Sequence, residues 1–352
     1  MYKEYIVTEK IENIMSDEED EIVVKTKNSE NDDFSFPQSL LPALTGAIPS
    51  TVSRLISQHD YPHISRYGVK RKRYSFATTQ KICYQLMTKG LIPEKKIQVF
   101  FNFKGGTGKT SLCHQISVFF ALVGFKVLVI DCDPQAHLSY SLGFNEQEDN
   151  KTLYDVIVNN TPILSVIKPV YTNFDCIPSN LSLTRLETPL NQKPNRERVF
   201  SKMIEPLKEK YDFIFIDTNP TISTVNRNVT LAADVLNIVC ETQPYSLKGL
   251  EMLVEEIKSF SQAMEEEITY RIIPNKYESK TATSQEAIGT LRRDYREYVM
   301  DSVVRKCEDL NISAKKRKPL LAFCSKSSVA FEDLCDLGRE MLKYSTTKLF
   351  EG

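Results

Sequence analysis

Three glycines lie between two lysines in the eight-residue run from Phe103 to Thr110, which reads Phe-Lys-Gly-Gly-Thr-Gly-Lys-Thr. Glycines let the backbone fold into a cradle whose N–H groups point at phosphate oxygens, and a following helix adds the positive end of its dipole. Lys109 would carry charge to the β- and γ-phosphates, and the Thr110 hydroxyl would ligate Mg²⁺. The run predicts a nucleotide site built from Gly105, Gly106, Thr107, Gly108, Lys109, Thr110 and Ser111.

The flanking residues indicate how this loop is positioned. Residues 97–102 are apolar and strand-like, and residues 112–123 carry large apolar side chains at helical spacing. A glycine-rich strand-to-helix turn of another function would look superficially similar. The order of strand, loop, Gly-Lys-Thr and amphipathic helix favours phosphate binding.

Two further apolar runs end in acidic residues. Residues 127–130 lead into Asp131-Cys132-Asp133, and residues 213–216 lead into Asp217. An aspartate at a strand end is often only a turn former. Next to a phosphate loop, however, such carboxylates can act on Mg²⁺, on water or on the γ-phosphate. We expect Thr110, Asp131 and Asp217 on the metal side.

The alternation of strand-like and helical segments from residue 95 onward predicts the fold. It indicates an α/β, P-loop, doubly wound, mostly parallel sheet with helices on both faces and with ligands at the C-terminal ends of the strands. The predicted strands cover residues 98–102, 126–131, 174–177, 212–217, 235–241 and 269–274.

The segment before this domain divides into two parts. Residues 1–37 include an acidic, Asn/Ser-bearing stretch that is typical of a flexible tail, and a partner-docking role for it remains open. Residues 38–93 predict a small α-rich unit in which a turn at Gly46 precedes a short helix, as in a helix-turn-helix. Residues 94–352 form the predicted P-loop domain.

A basic stretch with interleaved aromatic residues, 61–76, follows that short helix. A hairpin of this composition can lie along phosphates while the helix enters the major groove, and the block resembles the winged helix-turn-helix of the MerR-like class. A solvated basic loop beside a packing domain is the alternative. The expected DNA-binding residues of this unit are Ser50, Thr51, Ser53, Arg54, Lys70, Arg71, Lys72 and Arg73.

Overall composition narrows the function classes little. The 352 residues carry a net charge of −1, so local patches matter more than the total. The eight cysteines form no Cys-x-x-Cys pair, which argues against an iron–sulfur reductase. We expect them to be reduced thiols. The chain has no basic N-terminal segment followed by an apolar stretch and no apolar run of membrane-spanning length, so we expect a cytoplasmic protein.

The three motifs together resemble the deviant Walker A, switch and Walker B motifs of the ParA/MinD family of P-loop ATPases. Lys-Gly-Gly-Thr-Gly-Lys-Thr, Asp-Cys-Asp-Pro-Gln and Ile-Asp-Thr-Asn-Pro are most similar to ParA partition proteins. The resemblance implies ATP and Mg²⁺ as cofactors and a homodimer in which Lys104 reaches the phosphates of the partner subunit. It also implies that Asp133 positions the attacking water, that Lys104, Lys109 and Asp133 are the catalytic residues, and that Asn275 contacts adenine.

The layout resembles the larger plasmid type of ParA protein, which carries an N-terminal winged helix-turn-helix. This implies plasmid or chromosome partition with repression of the protein's own operon, a ParB-like centromere-binding partner that stimulates slow hydrolysis, and location on the nucleoid. It also implies sequence-independent DNA binding, which depends mainly on Lys and Arg. We expect that role, as an alternative to a solvated basic face, for Arg292, Arg293, Arg305, Lys315, Lys316, Arg317 and Lys318.

The sequence departs from the usual family pattern at two places. The usual Asp-Thr-Pro-Pro-like run reads Asp-Thr-Asn-Pro from Asp217, and residues 303–323 are unusually basic. Two alternatives to partition remain open. A MinD-like membrane-cycling ATPase would need an amphipathic anchor in the last helical stretch, where acids crowd the polar face. A transcription regulator would use the ATPase fold only as a dimerisation switch.

Overall fold

The computed structural model describes residues 35–66, 69–145, 150–323 and 327–348, and it describes no side chains for residues 65–71. The predicted acidic tail lies outside the described residues, apart from its last three positions.

A seven-stranded sheet forms the centre of the protein. Numbered in chain order, its strands are β5 (Ile97–Phe101), β6 (Val127–Asp131), β7 (Lys168–Tyr171), β8 (Phe174–Ile177), β9 (Phe213–Asp217), β10 (Val235–Glu241) and β11 (Tyr270–Asn275). Their spatial order is β11-β10-β5-β9-β6-β8-β7, and every neighbouring pair is parallel except β7 with β8. The predicted mostly parallel sheet is confirmed, with β7 as an unpredicted antiparallel edge.

Helices cover both faces of this sheet. They are α4 (Lys109–Leu122), α5 (His137–Ser141), α6 (Leu153–Ile157), α7 (Glu187–Asn191), α8 (Val199–Ile204), α9 (Thr224–Ala232), α10 (Pro244–Met264), α11 (Ala282–Asp294), α12 (Asp309–Lys316), α13 (Leu320–Phe323) and α14 (Val329–Ser345). Short 3₁₀ helices span Ile163–Val166, Leu181–Arg185, Arg196–Arg198 and Glu205–Leu207.

The sheet separates two hydrophobic clusters, because successive side chains of a strand point to opposite faces. In β5, Val99 and Phe101 join one cluster, while Phe100 joins the other, which includes α4 and α14. Every residue of β5, β6 and β9 is buried. Buried, mostly apolar strands of this kind are typical of a parallel sheet covered on both sides. At their C-terminal ends, β6 and β9 carry the acidic residues Asp131 and Asp217.

The N-terminal unit is built from short strands and short helices. Its strands are β1 (Ser35–Pro37), β2 (Ile64–Arg66), β3 (Val69–Ser75) and β4 (Leu91–Pro93), and its helices are α1 (Leu41–Thr45), α2 (Pro49–His59), α3 (Phe76–Cys83), a 3₁₀ turn (Gln38–Leu40) and a π turn (Tyr84–Thr88). Gly46 ends α1 with φ 71°, the left-handed conformation that glycine adopts without strain. Phe36 is fully buried and β1 pairs with β3, so residues 35–37, which the sequence assigned to the flexible segment, are part of the folded unit.

The N-terminal unit shares its hydrophobic core with the ATPase domain. The Gln80 side-chain amide donates to the carbonyls of Ala121 (2.9 Å) and Thr172 (2.8 Å), and the Thr88 hydroxyl donates to the Val123 carbonyl (2.7 Å). These bonds join α3 and the turn after it to the end of α4, the helix that follows the phosphate loop. The C-terminal strand β12 (Thr346–Lys348) pairs antiparallel with β4.

Helix α14 packs against α4 through its apolar face. Leu334, Leu337 and Met341 are completely buried there. These three are among the residues that the membrane alternative would need as an anchor, and they face the interior of the protein. Leu349, another of that set, lies outside the described residues. Within the residues that the structure describes, no helix combines the length and apolarity that crossing a membrane requires.

Helices α14 and α4 pack so closely at Gly338 that one added methyl group tests the packing between them. A Cβ at Gly338 would lie 2.5 Å from the Phe119 ring, so we expect Gly338→Ala to destabilise the protein by about 1–3 kcal/mol through overpacking. Gly289 in α11 has no neighbour within 4 Å, so Gly289→Ala should be neutral or stabilise by up to about 1 kcal/mol. Urea unfolding of both variants checks this, and equal effects would contradict the packing described here.

Candidate nucleotide site

The phosphate loop, residues 102–108, leaves the C-terminal end of β5 and is anchored at both sides. The Asn102 carboxamide accepts from the Lys104 N–H (2.8 Å) and donates to the Val239 carbonyl of β10 (2.8 Å). Gly106 and Gly108 have φ 77° and 96°, which allows the backbone to curl before α4 begins. The loop therefore has the cradle shape expected from its glycines.

Lys109 lies inside this cradle. It is 6% exposed, and its ammonium donates to the Lys104 carbonyl (3.2 Å). Burial lowers the pKa of Lys109, while Asp217 and Asp133 act in the opposite direction. The Lys109 ammonium therefore lies near the carboxyl groups of Asp217 and Asp133, in a position from which it could also contact a phosphate bound in the loop.

The switch segment after β6 is held by its own hydrogen bonds. Asp131 accepts from the Asp133 N–H (3.0 Å) and from both the N–H (2.9 Å) and the hydroxyl (2.7 Å) of Ser139. Burial raises the pKa of Asp131 to about 6, although these hydrogen bonds lower it. Asp133 has one oxygen capped by the Gln135 N–H (2.9 Å) and is 8% exposed. Asp131 thus shapes the turn that presents Asp133.

Asp217 differs from Asp131 because neither of its oxygens has a hydrogen bond of normal geometry among the described residues. Burial raises its pKa well above the usual range, the nearby Asp131 adds to this, and the Thr110 hydroxyl lowers it. A fully buried carboxyl without a partner is costly unless a cation or donor arrives. The donor set of Thr110 and Asp217 fits Mg²⁺, which prefers oxygen ligands.

Lys104 lies at the rim of the loop in an ion pair that the sequence did not predict. Its ammonium donates to Glu241 (2.6 Å), at the end of β10, and to the Ser246 hydroxyl (2.9 Å). Lys276, directly after β11, also donates to Glu241 (2.7 Å). One signal could have indicated both residues: like Asp131 and Asp217, they stand at the C-terminal ends of parallel strands.

Comparison with known proteins places this site in a family. A family model described as an AAA domain matches residues 95–270. The cell division protein PomZ of Myxococcus xanthus is 31% identical over 225 residues, which cover 63% of this chain and 70% of PomZ. The sporulation initiation inhibitor protein Soj of Bacillus subtilis is 26% identical over 248 residues, covering 70% and 98%.

The chain belongs to the ParA/MinD family of P-loop ATPases.

A solved neighbour shows the same fold. An McdA variant from Cyanothece, in a complex with ATP, superimposes with a TM-score of 0.63 at 21% identity, covering 72% of this chain and 96% of McdA. The expected fold and family are therefore confirmed, whereas the assignment of single site residues stays a prediction.

In this ParA/MinD-family chain, the predicted adenine contact Asn275 touches the loop itself. Its amide nitrogen donates to the Thr107 carbonyl (2.7 Å), and a Cβ on Gly108 would lie 2.4 Å from that nitrogen. Among the described residues, the buried side-chain oxygen Oδ1 of Asn275 has no hydrogen-bond partner. A groove of about 700 Å³ opens beside it, lined by Ser111, Lys276, Tyr277 and residues 305–308, 310 and 311 among others. A base would have room there.

The predicted DNA-contacting residues fall into three groups. Arg305 and Arg317 are engaged within the protein: Arg305 pairs with Asp333 (Nε–Oδ1 2.9 Å), and Arg317 donates to the Tyr140 carbonyl (2.9 Å). Arg292 and Arg293 lie at the end of α11, where they bond Asp301 and Asp294. Lys315, Lys316 and Lys318 form the third group, and their side chains are exposed, as are those of Arg292 and Arg293.

In the N-terminal unit, Ser50, Ser53 and Arg54 lie on the exposed face of α2, and Thr51 is half-buried. Lys72 is exposed, and Arg73 donates to the Ser35 hydroxyl (2.8 Å) across the hairpin. The side chains of Lys70 and Arg71 lie outside the described part.

Asp217→Asn tests whether Asp217 is a strained carboxyl. Since the folded pKa is raised, ionisation favours the unfolded chain as the pH rises above about 4. We expect the apo variant to have a higher free energy of unfolding than the wild type at pH 8, with a difference that shrinks toward pH 4. Mg²⁺ with ATP should stabilise the wild type more than the variant. Urea unfolding at several pH values measures this, and a variant less stable at pH 8 would contradict it.

Gly108→Ala should distort the loop, because a left-handed φ and contact with Asn275 both oppose a Cβ. We expect at least a tenfold loss of affinity for a fluorescent ATP analogue. Gly105→Ala is the matched control, since its Cβ would meet only Pro220 at 3.9 Å. Equal losses in both variants would show that the loop does not depend on the Gly108 conformation.

Proposed function

We propose that the protein is an ATP-dependent DNA-partition ATPase. It binds ATP with Mg²⁺, pairs with a second copy of itself, binds DNA without sequence preference and hydrolyses ATP slowly. Its N-terminal unit binds operator DNA and represses its own operon, and a ParB-like centromere-binding protein stimulates hydrolysis. The names of its relatives, which include a cell division protein and a chromosome partitioning protein, support this proposal.

One observation carries the nucleotide part of the proposal. Lys109, Asp133 and the unpartnered Asp217 converge at the C-terminal edge of three adjacent strands, next to a loop with two left-handed glycines. That combination supplies N–H donors and a lysine for phosphates, oxygen ligands for a divalent cation and a carboxylate for water.

The residues divide the chemistry among them. The loop amides and Lys109 hold and orient the phosphates, and Thr110 and Asp217 hold the metal side. Asp133 orients water toward the terminal phosphate, while Asp131 keeps the turn before it in shape. The metal ion, when bound, offsets charge on the β- and γ-phosphate oxygens. Lys104 adds charge from the second copy, which links hydrolysis to pairing.

The DNA part depends on two exposed surfaces. On α2, the polar face that includes Ser50, Ser53 and Arg54 has no acidic residue between Pro49 and His59, and it suits a groove of DNA. Near the end of α12, Lys315, Lys316 and Lys318 suit phosphates. The membrane alternative has less support, because the apolar residues of α14 are buried against α4.

Filter binding of random duplex DNA tests the ATP switch. We expect ATP to increase the affinity of the wild type for DNA at least tenfold, with binding that weakens as salt rises because Lys and Arg displace counterions. Lys109→Ala should lose the response to ATP. An affinity that ATP does not change, or a Lys109→Ala variant that binds as well as the wild type with ATP, would contradict the proposal.

Arg54→Ala separates the two DNA surfaces. We expect it to weaken binding to the DNA upstream of the protein's own gene by about 1–3 kcal/mol while random-duplex binding with ATP stays unchanged. Replacing Lys315, Lys316 and Lys318 with alanine should weaken random-duplex binding with ATP and leave the added affinity for the upstream DNA unchanged. Parallel losses on both DNAs for Arg54→Ala would remove the operator role of α2.

A further inference from the structure

Glu241 occupies a position between two lysines that belong to different parts of the site. Strand β10 pairs with β5 on one side and β11 on the other, and Glu241 is in register with Asn275. The loop after β5 carries Lys104, and the residue after β11 is Lys276. A carboxylate at the end of β10 therefore faces both lysines from the strand between them.

Glu241 forms a short, direct hydrogen bond with each of the two lysines. One oxygen accepts from the Lys104 ammonium at 2.6 Å, and the other accepts from the Lys276 ammonium at 2.7 Å. The Glu241 side chain is only 13% exposed, whereas those of Lys104 and Lys276 are 45% and 42% exposed. Burial raises the pKa of Glu241, but the two lysines outweigh this, so the net shift is downward and the group stays ionised.

Lys276 also connects this pair to the cradle. Its ammonium donates to the Gly106 carbonyl at 2.5 Å, and Lys104 has a second partner in the Ser246 hydroxyl at 2.9 Å. The arrangement fixes the Lys104 ammonium within its own subunit, because a partly buried carboxylate holds an ammonium more strongly than a fully exposed one does.

We propose that Glu241 is the positioning residue of Lys104. It holds the Lys104 ammonium in the subunit's own site, and Lys276 limits the strength of that hold by sharing the same carboxylate. Two copies can pair across bound ATP only after Lys104 has left Glu241, so this contact sets the concentration at which pairing occurs. This inference rests on the proposed ATP-dependent pairing.

Two substitutions should shift pairing in opposite directions. Glu241→Gln keeps the shape of the side chain and removes its charge, so Lys104 is released and we expect the dimer dissociation constant in saturating ATP to fall about three- to tenfold. Lys276→Met leaves the whole charge of Glu241 to Lys104, so the constant should rise. Sedimentation of the full chain with ATP, with ADP and without nucleotide measures both.

The salt dependence of the dimer dissociation constant distinguishes an electrostatic attraction between Glu241 and Lys104 from a purely structural role of Glu241. The difference between wild type and Glu241→Gln should shrink as NaCl rises, since ions screen the half-exposed ammonium groups. Titration with a fluorescent ATP analogue verifies saturation for each variant, and thermal unfolding shows that each is folded.

The outcomes separate the two proposals. A wild type that stays monomeric with ATP would overturn the proposed pairing and this inference with it. A wild type that pairs with ATP, together with variants that match it or shift in the same direction, would overturn the role of Glu241 alone. Opposite shifts that shrink with salt support it.

Discussion

The site depends on burying charge that the protein alone does not neutralise. Asp217 lies at the end of a fully buried strand, and among the described residues its side chain has no hydrogen bond of normal geometry. Burial raises its pKa, and the neighbouring Asp131 raises it further. Such a group lowers the stability of the apo protein and creates affinity for a cation at one point. The two hydrophobic clusters on either side of the sheet provide the stability that allows this. Binding of a metal with phosphates would relieve the same strain.

The N-terminal unit is attached to the ATPase domain through direct contacts with the end of α4. Gln80 and Thr88 bond to carbonyls at or just after the end of α4, and α4 starts at Lys109. A shared hydrophobic core replaces a flexible linker. The exposed face of α2 therefore has a fixed orientation relative to the phosphate loop, and pairing of two ATPase domains would set the distance between two such faces.

Much of the fold follows from the sequence because its signals are local. The apolar strands that end in Asp131 and Asp217, and the glycine-rich run before Lys109, are each readable within ten residues. Strand β7 was missed because Lys168–Tyr171 is short, contains proline and lies antiparallel at the edge. Ser35–Pro37 was assigned to the acidic segment because its partner, β3, lies about 40 residues away in the chain.

The site was only partly predictable because its remaining contacts join distant segments. Glu241 meets Lys104 across 137 residues and Lys276 across 35. Arg317 appeared as part of an exposed basic run, yet it bonds the Tyr140 carbonyl after the switch segment. The sequence shows that these residues are charged, whereas their ion-pair and hydrogen-bond partners become known only from the fold.

A crystal structure with Mg²⁺ and a non-hydrolysable ATP analogue tests the central claim most directly. We expect the triphosphate in the loop from Lys104 to Thr110, with the metal held directly or through water by Thr110 and Asp217. A cleft that remains empty at saturating ligand, or a metal bound away from Asp217, would contradict this account.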